Sequence, residues 1–181
     1  MESIPQRFRH EFSDADRETI YGAIEENLGR MDLSQDQYFV VADRGRQFAA
    51  LAFFQKSTGE YWIVGNFGSK ISTGVNNVRA RSWATPTGLY DVSPTRDALN
   101  EAGQPEWRTE GSGGAGYGPP GSRVFLLGQV DVDSPYGANL TVAMHKTSTS
   151  GLSQLGRENS HGCVRASDEF IDLLDGYGLM D

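Results

Sequence analysis

The chain of 181 residues contains one cysteine, Cys163, and three histidines. Two of those histidines accompany the cysteine. His161 stands just before it in the run Ser160-His161-Gly162-Cys163-Val164-Arg165, and His145 lies upstream, separated from Ser160 by fourteen residues. Such a set suits nucleophilic catalysis. A thiol is a modest nucleophile and a thiolate a strong one. A histidine within hydrogen-bond reach can take the proton, and the imidazolium then holds the thiolate. Arg165 adds positive potential and a planar fork that suits a carboxylate. Gly162 lets the backbone approach a substrate closely, so that neighbouring N–H groups can face a developing oxyanion. Ser160 can tie down the turn through its hydroxyl. Two other readings stand beside this one. A lone cysteine is most often a small buried hydrophobe. Alternatively, His145, His161 and Cys163 could hold zinc with an open position, although no Asp, Glu or second Cys joins them as an obvious ligand.

These residues need elements to position them. Ser13 reads as an N-cap with Asp14 and Asp16 in the first turn, where the helix dipole favours negative charge. Ile20, Ile24 and Leu28 recur at four-residue spacing before Gly29, which predicts an amphipathic helix over residues 14–28. Short aromatic and β-branched runs follow. Gln37 to Ala42, Gln47 to Phe54, Glu60 to Asn66, Gly88 to Val92, Arg123 to Val132 and Asn139 to Met144 are predicted as strands, with a turn at Asp43 to Arg46. His145 then falls at the end of a strand. His10 sits in a polar N-terminal tail. Ser167 to Leu174 reads as a helix capped by Ser167 and stopped by Gly176. Many short strands punctuated by Gly and Pro indicate a mainly β fold, a sandwich or barrel. The segment Gly103 to Gly121 is too rich in glycine to form a regular element. It is either a surface loop or a lid beside the site, in which case Trp107 and Tyr117 offer aromatic contact surface.

The net charge of −8 argues against a surface that tracks phosphates, and no basic run with interleaved aromatics occurs. Nucleic acid is therefore not an expected partner. No stretch approaches the ~18 apolar residues of a membrane span. Residues 1–9 carry charges with no apolar stretch behind them, so no secretory signal is written here. Either a leader has been removed or a dedicated secretion machine carries the protein.

The cysteine segment and its spaced histidine resemble the YkuD-type L,D-transpeptidase motif: a His, a gap of about fifteen residues, then Ser/Thr-His-Gly-Cys, an apolar residue, and Arg or Asn. Ile71-Ser72-Thr73-Gly74 and Ala84-Thr85-Pro86-Thr87-Gly88 resemble that family's second signature region. The resemblance spans residues 37–181 and leaves residues 1–36 as an N-terminal helical extension. It implies a β-sandwich or barrel with a helix after the catalytic cysteine. The family usually adds a closing strand after that helix. None is written before residue 181, so an earlier strand fills that edge or the sequence is truncated. No wall-binding module is recognisable, and the glycine-rich segment has no counterpart in the motif.

The resemblance further implies roles. His145 is the base, oriented by the backbone carbonyl of Lys146 in place of an acidic third member. His161 shapes the turn, and the N–H groups of His161, Gly162 and Cys163 form the oxyanion hole. Arg165 positions the donor or the thiolate. Ser160, Lys146, Trp107 and Tyr117 are the candidate substrate-binding residues. The implied reaction is attack by Cys163 on a tetrapeptide stem of peptidoglycan with release of D-Ala. The acyl group then passes to an amine: a diamino acid side chain, a D-amino acid or a wall-linked protein Lys. Hydrolysis, as in an L,D-carboxypeptidase or amidase-like enzyme, and D-amino-acid exchange use the same cysteine, in a wall enzyme or a secreted toxin. The expected site of work is the periplasm or extracytoplasmic wall, a carbapenem is expected to acylate the thiol, and no metal or cofactor is called for.

Overall fold

The computed structural model describes residues 1–77, 82–92, 109, 117–132 and 138–180. The predicted N-terminal helix is present as α1, Asp14–Asn27, and its start is doubly satisfied. The Ser13 hydroxyl accepts from the Asp16 N–H at 3.2 Å, and the Asp16 carboxylate accepts from the Ser13 N–H at 2.9 Å. Two N–H groups that no helical turn can reach are thereby paired. Ile20 and Ile24 are fully buried beneath it.

Ahead of α1 runs a short strand, β1 (Arg9–Glu11). After it come β2 (Gln37–Asp43), β3 (Phe48–Gln55), β4 (Glu60–Ile63) and β5 (Phe67–Ser72). Then follow β6 (Val124–Val132), β7 (Ala138–Lys146), β8 (Val164–Ala166) and α2 (Asp168–Gly176). The strands form one sheet in the order β2-β3-β5-β8-β7-β6, with β1 on β5 and β4 on β3. The sheet curls into a half-barrel, and the fold is mainly β as the sequence indicates.

Strand β3 is buried on both faces. Phe48, Ala50, Ala52 and Phe54 join Ile20 and Ile24 in a core under α1, while Ala49 and Leu51 turn the other way, into a core shared with Phe170, Ile171 and Leu174 of α2. That division is the period-two alternation of a strand covered on both sides. α2 is capped by Ser167, whose hydroxyl accepts from the Phe170 N–H.

Several sequence expectations need correction. Glu60 to Asn66 is not one strand: β4 stops at Ile63, and the chain turns at Gly65 into β5. β5 went unrecognised because Gly, Ser and Lys dilute its pattern. Gly68 is required there, since a Cβ would fall 2.1 Å from the Ala49 carbonyl oxygen. Gly88 to Val92 forms no strand. Tyr90 instead donates its hydroxyl to the Pro86 carbonyl at 3.0 Å, closing the segment on itself. His10 does not lie in a loose tail. It is on β1, stacked on Phe48 at 4.4 Å and within 3.2 Å of the Asp16 carboxylate. Between Cys163 and α2 the chain also forms a short strand, β8, that the sequence did not reveal.

No described helix is long and apolar enough to cross a membrane.

The core under α1 shares no residue with the cluster that holds Cys163. Ile24→Ala should therefore lower unfolding free energy by about 2–5 kcal/mol, measured by urea denaturation, while the alkylation rate of Cys163 in the folded protein stays unchanged.

Candidate active site

The site is a product of strand register. β7 and β8 run parallel, with Met144 opposite Val164 and His145 opposite Arg165. Met144 and Val164 turn into the α2 core. By alternation, His145 and Arg165 take the other face. Cys163, just before β8, falls on that same face, packed with Val124, Leu126, Ala143 and Tyr117. Cys163 and His145 are thus one strand and two positions apart, about 7–8 Å between Cα atoms for such diagonal neighbours.

His145 is 2 % exposed. Its Nδ1 lies 2.6 Å from the carbonyl oxygen of Lys146. A carbonyl only accepts, so Nδ1 carries the proton and Nε2 of the neutral ring is the basic nitrogen. Burial pushes the imidazole pKa down to about 4, against the opposing pull of the Lys146 carbonyl, and the charge of Arg165 lowers it further. The Cys163 thiol is pushed up by burial, while the Ala143 N–H, Arg165 and the Tyr117 hydroxyl pull it back. Its sulfur faces the Thr141 carbonyl at 3.7 Å. Both groups therefore rest neutral.

The turn before Cys163 is held from below. Ser160 is buried, and its hydroxyl donates to the Cys163 carbonyl at 2.5 Å and accepts from the Gly162 N–H at 3.1 Å. The Thr73 carbonyl accepts from the N–H groups of both Asn159 and Ser160, at 2.9 Å each. Gly74 bridges to Ser160 and donates its N–H to Thr85 Oγ1 at 2.8 Å. At Gly74 a Cβ would lie 2.7 Å from Gly162, and at Gly162, with φ +134°, one would strike Leu140. Backbone meets backbone here, and only glycine permits it.

The structure brings together Cys163, His145, Gly162, Arg165, Ser160 and Tyr117. The Tyr117 ring is 4.6 Å from that of His145. Arg165 donates from Nη1 to the Asn159 carbonyl at 3.3 Å. Lys146 supplies its carbonyl, but its ammonium turns away to Asp172 of α2 at 2.6 Å. The His161 side chain is exposed. Trp107 lies outside the described residues. The Gly162 N–H, expected among the oxyanion donors, is already given to Ser160. Among the described residues no three His, Cys, Asp or Glu side chains gather as a metal site.

A family model of the L,D-transpeptidase catalytic domain, YkuD, matches residues 37–175. The chain belongs to this family. No curated protein matches it. L,D-transpeptidase domains of this kind are cysteine enzymes that act on peptidoglycan and are associated with the extracytoplasmic wall. Within this L,D-transpeptidase domain, sequence reasoning assigned no role to Thr73, Thr85 or Asn159, which carry the turn by main-chain and hydroxyl contacts. The first two fall in segments that resemble the family's second signature region, and that match was the available signal.

An imidazole can take a thiol proton only while it is neutral. A histidine at its ordinary 6.5 would be half protonated at that pH, whereas His145 is depressed to about 4. The rate of acylation by a carbapenem should therefore hold from about pH 7 to about pH 5 and fall by about tenfold per unit only well below that. Rapid-quench mass spectrometry across this range tests it, and a midpoint near the ordinary histidine value would contradict the burial argument.

Proposed function

We propose that the chain is a peptidoglycan L,D-transpeptidase with Cys163 as nucleophile. The observation that carries this is the tautomer of His145. Its Nδ1 proton is held by the Lys146 carbonyl, which leaves Nε2 basic on the face that also bears Cys163. The S–H swings from the Thr141 carbonyl toward Nε2 as sulfur attacks the carbonyl of the third stem residue, a diamino acid linked through its L-centre. The C–S bond forms and the peptide bond to the terminal D-alanine breaks. His145 returns its proton to the departing amine. An acceptor amine then attacks the thioester, gives its proton to His145 and displaces Cys163.

With the Gly162 N–H engaged, the N–H groups of His161 and Cys163 are the donors assigned to the developing oxyanion. Arg165 keeps the imidazole unprotonated before attack and opposes the effect of burial on the thiol, which eases the transfer of its proton to Nε2 as the C–S bond forms. Tyr117 flanks both reacting groups and offers its ring to the donor peptide. Its contact with His145 supports placing the end of the glycine-rich segment against the cleft, where it would keep water from the acyl-enzyme and favour an amine acceptor. The mechanism needs only a thiol, a base and backbone donors. The wall outside the cytoplasmic membrane is the proposed place of action.

Cys163→Ala should abolish D-alanine release from tetrapeptide donors without altering the melting temperature by more than a few degrees. Wild type incubated with a carbapenem should gain one drug mass on Cys163. Turnover above a trace in the alanine variant, or an unmodified wild-type mass, would contradict the nucleophile assignment. Release of D-alanine with only hydrolysed tripeptide, whatever amine is offered, would replace transpeptidation by carboxypeptidase action.

A further inference from the structure

We propose that Gln47 is a positioning residue for the oxyanion turn; the inference rests on the acyl transfer by Cys163 proposed above. Gln47 closes the turn between β2 and β3, its N–H donating to the Asp43 carbonyl at 2.8 Å. It is 5 % exposed, and its backbone lies at φ +59°, the one non-glycine residue at positive φ among those described. A glutamine enters that region only where its surroundings hold it there.

The side chain shows what holds it. Oε1 accepts from the Thr73 N–H at 2.9 Å. Nε2 donates to Thr73 Oγ1 at 2.7 Å and also to the Arg44 carbonyl. An acceptor and a donor on adjacent atoms are needed at once, and an amide supplies both where a carboxylate supplies only acceptors. Thr73 is thus fixed through its N–H and hydroxyl on one side. Its carbonyl, on the other side, holds the N–H groups of Asn159 and Ser160. Arg44 from the same turn reaches the Thr85 carbonyl at 2.8 Å, and Thr85 Oγ1 holds Gly74 against Gly162.

This clamp acts where the sheet does not. β5 ends at Ser72 and β8 begins at Val164, so residues 159–163 lie outside both strands. His145 and the packing around Cys163 depend on β7 and β8, but the aim of the His161 and Cys163 N–H groups depends on where Thr73 puts Ser160. Loss of the amide should therefore misplace the oxyanion donors more than the nucleophile and its base.

Two reactions of the same thiol separate these effects. Acylation by a carbapenem passes through a tetrahedral oxyanion, whereas alkylation by iodoacetamide does not. The test uses the full chain, each variant shown to be folded at the assay temperature by circular dichroism. Gln47→Glu keeps the shape and loses the donor. Gln47→Gly relaxes the backbone and removes the amide. Both should be acylated at least about tenfold more slowly than wild type while iodoacetamide alkylation changes by less than about twofold. Equal loss of both rates, no loss of either, or failure of both variants to fold would make Gln47 a merely structural residue and overturn the proposal. Should Gln47→Glu alone fail to fold, Gln47→Gly decides. A wild type that is alkylated but never acylated would instead sink the acyl-transfer reading, and this inference with it.

Discussion

The parallel pairing of β7 with β8 is the constraint on which the rest of the molecule depends. It rests on three register pairs, Met144–Val164, His145–Arg165 and Lys146–Ala166. A slip of one residue would send every side chain of β8 to the opposite face, putting Cys163 toward the α2 core and Val164 toward His145. β8 is only three residues long and cannot hold its register alone. It is therefore gripped on its other edge by β5, through Ile71–Ala166 and Ser72–Arg165. The sequence between β7 and β8 must cross over to make the pairing parallel. The crossover is tied down where it returns, by Thr73 on Asn159 and Ser160 and by the Ile71 carbonyl on the Gly156 N–H. Behind this sits the apolar core of α2, which accepts Met144, Val164 and Ala166 and so selects the face left for chemistry.

Burial sets the electrostatics of that face. A carboxylate partner would stabilise an imidazolium, but a carbonyl, being a dipole, does so much less. With Lys146 O as the orienting group, desolvation dominates and His145 remains neutral well below its ordinary range. Burial and the local hydrogen bonds act in opposite directions on Cys163, and burial prevails. The outcome is a quiet resting site. An uncharged thiol is less prone to oxidation and to stray electrophiles than a standing thiolate.

The family was legible because its signature is carried by rare residue types. One cysteine and two histidines in a fixed pattern stand out against a chain of Gly, Ser and Ala, and strand alternation put His145 near the end of β7. α1 and α2 were equally readable, since Ser13 and Ser167 are caps followed by periodic apolar residues. What escaped is held by the backbone. β1 and β8 are three residues each, too short for a period to show. β5 contains Gly68 because β3 passes too close for a side chain. Gly88 to Val92 has the composition of a strand, but Pro86 and Tyr90 engage each other instead. Gln47 reads as the first residue of β3, and only the fold reveals that it bends at positive φ to reach Thr73, 26 residues away. Clamps of this sort depend on tertiary geometry and leave no local periodicity.

The proposed acyl transfer requires a buried His145 that is neutral, protonated on Nδ1 and basic on Nε2. The measurement that reaches this most directly is the nitrogen-15 spectrum of the imidazole-labelled protein near neutral pH, with His145 assigned through His145→Gln. The expected spectrum shows a protonated, hydrogen-bonded Nδ1 and a pyridine-type Nε2, unchanged on acidification until the pH nears about 4. A ring protonated on both nitrogens near neutrality, or the tautomer with its proton on Nε2, would contradict it.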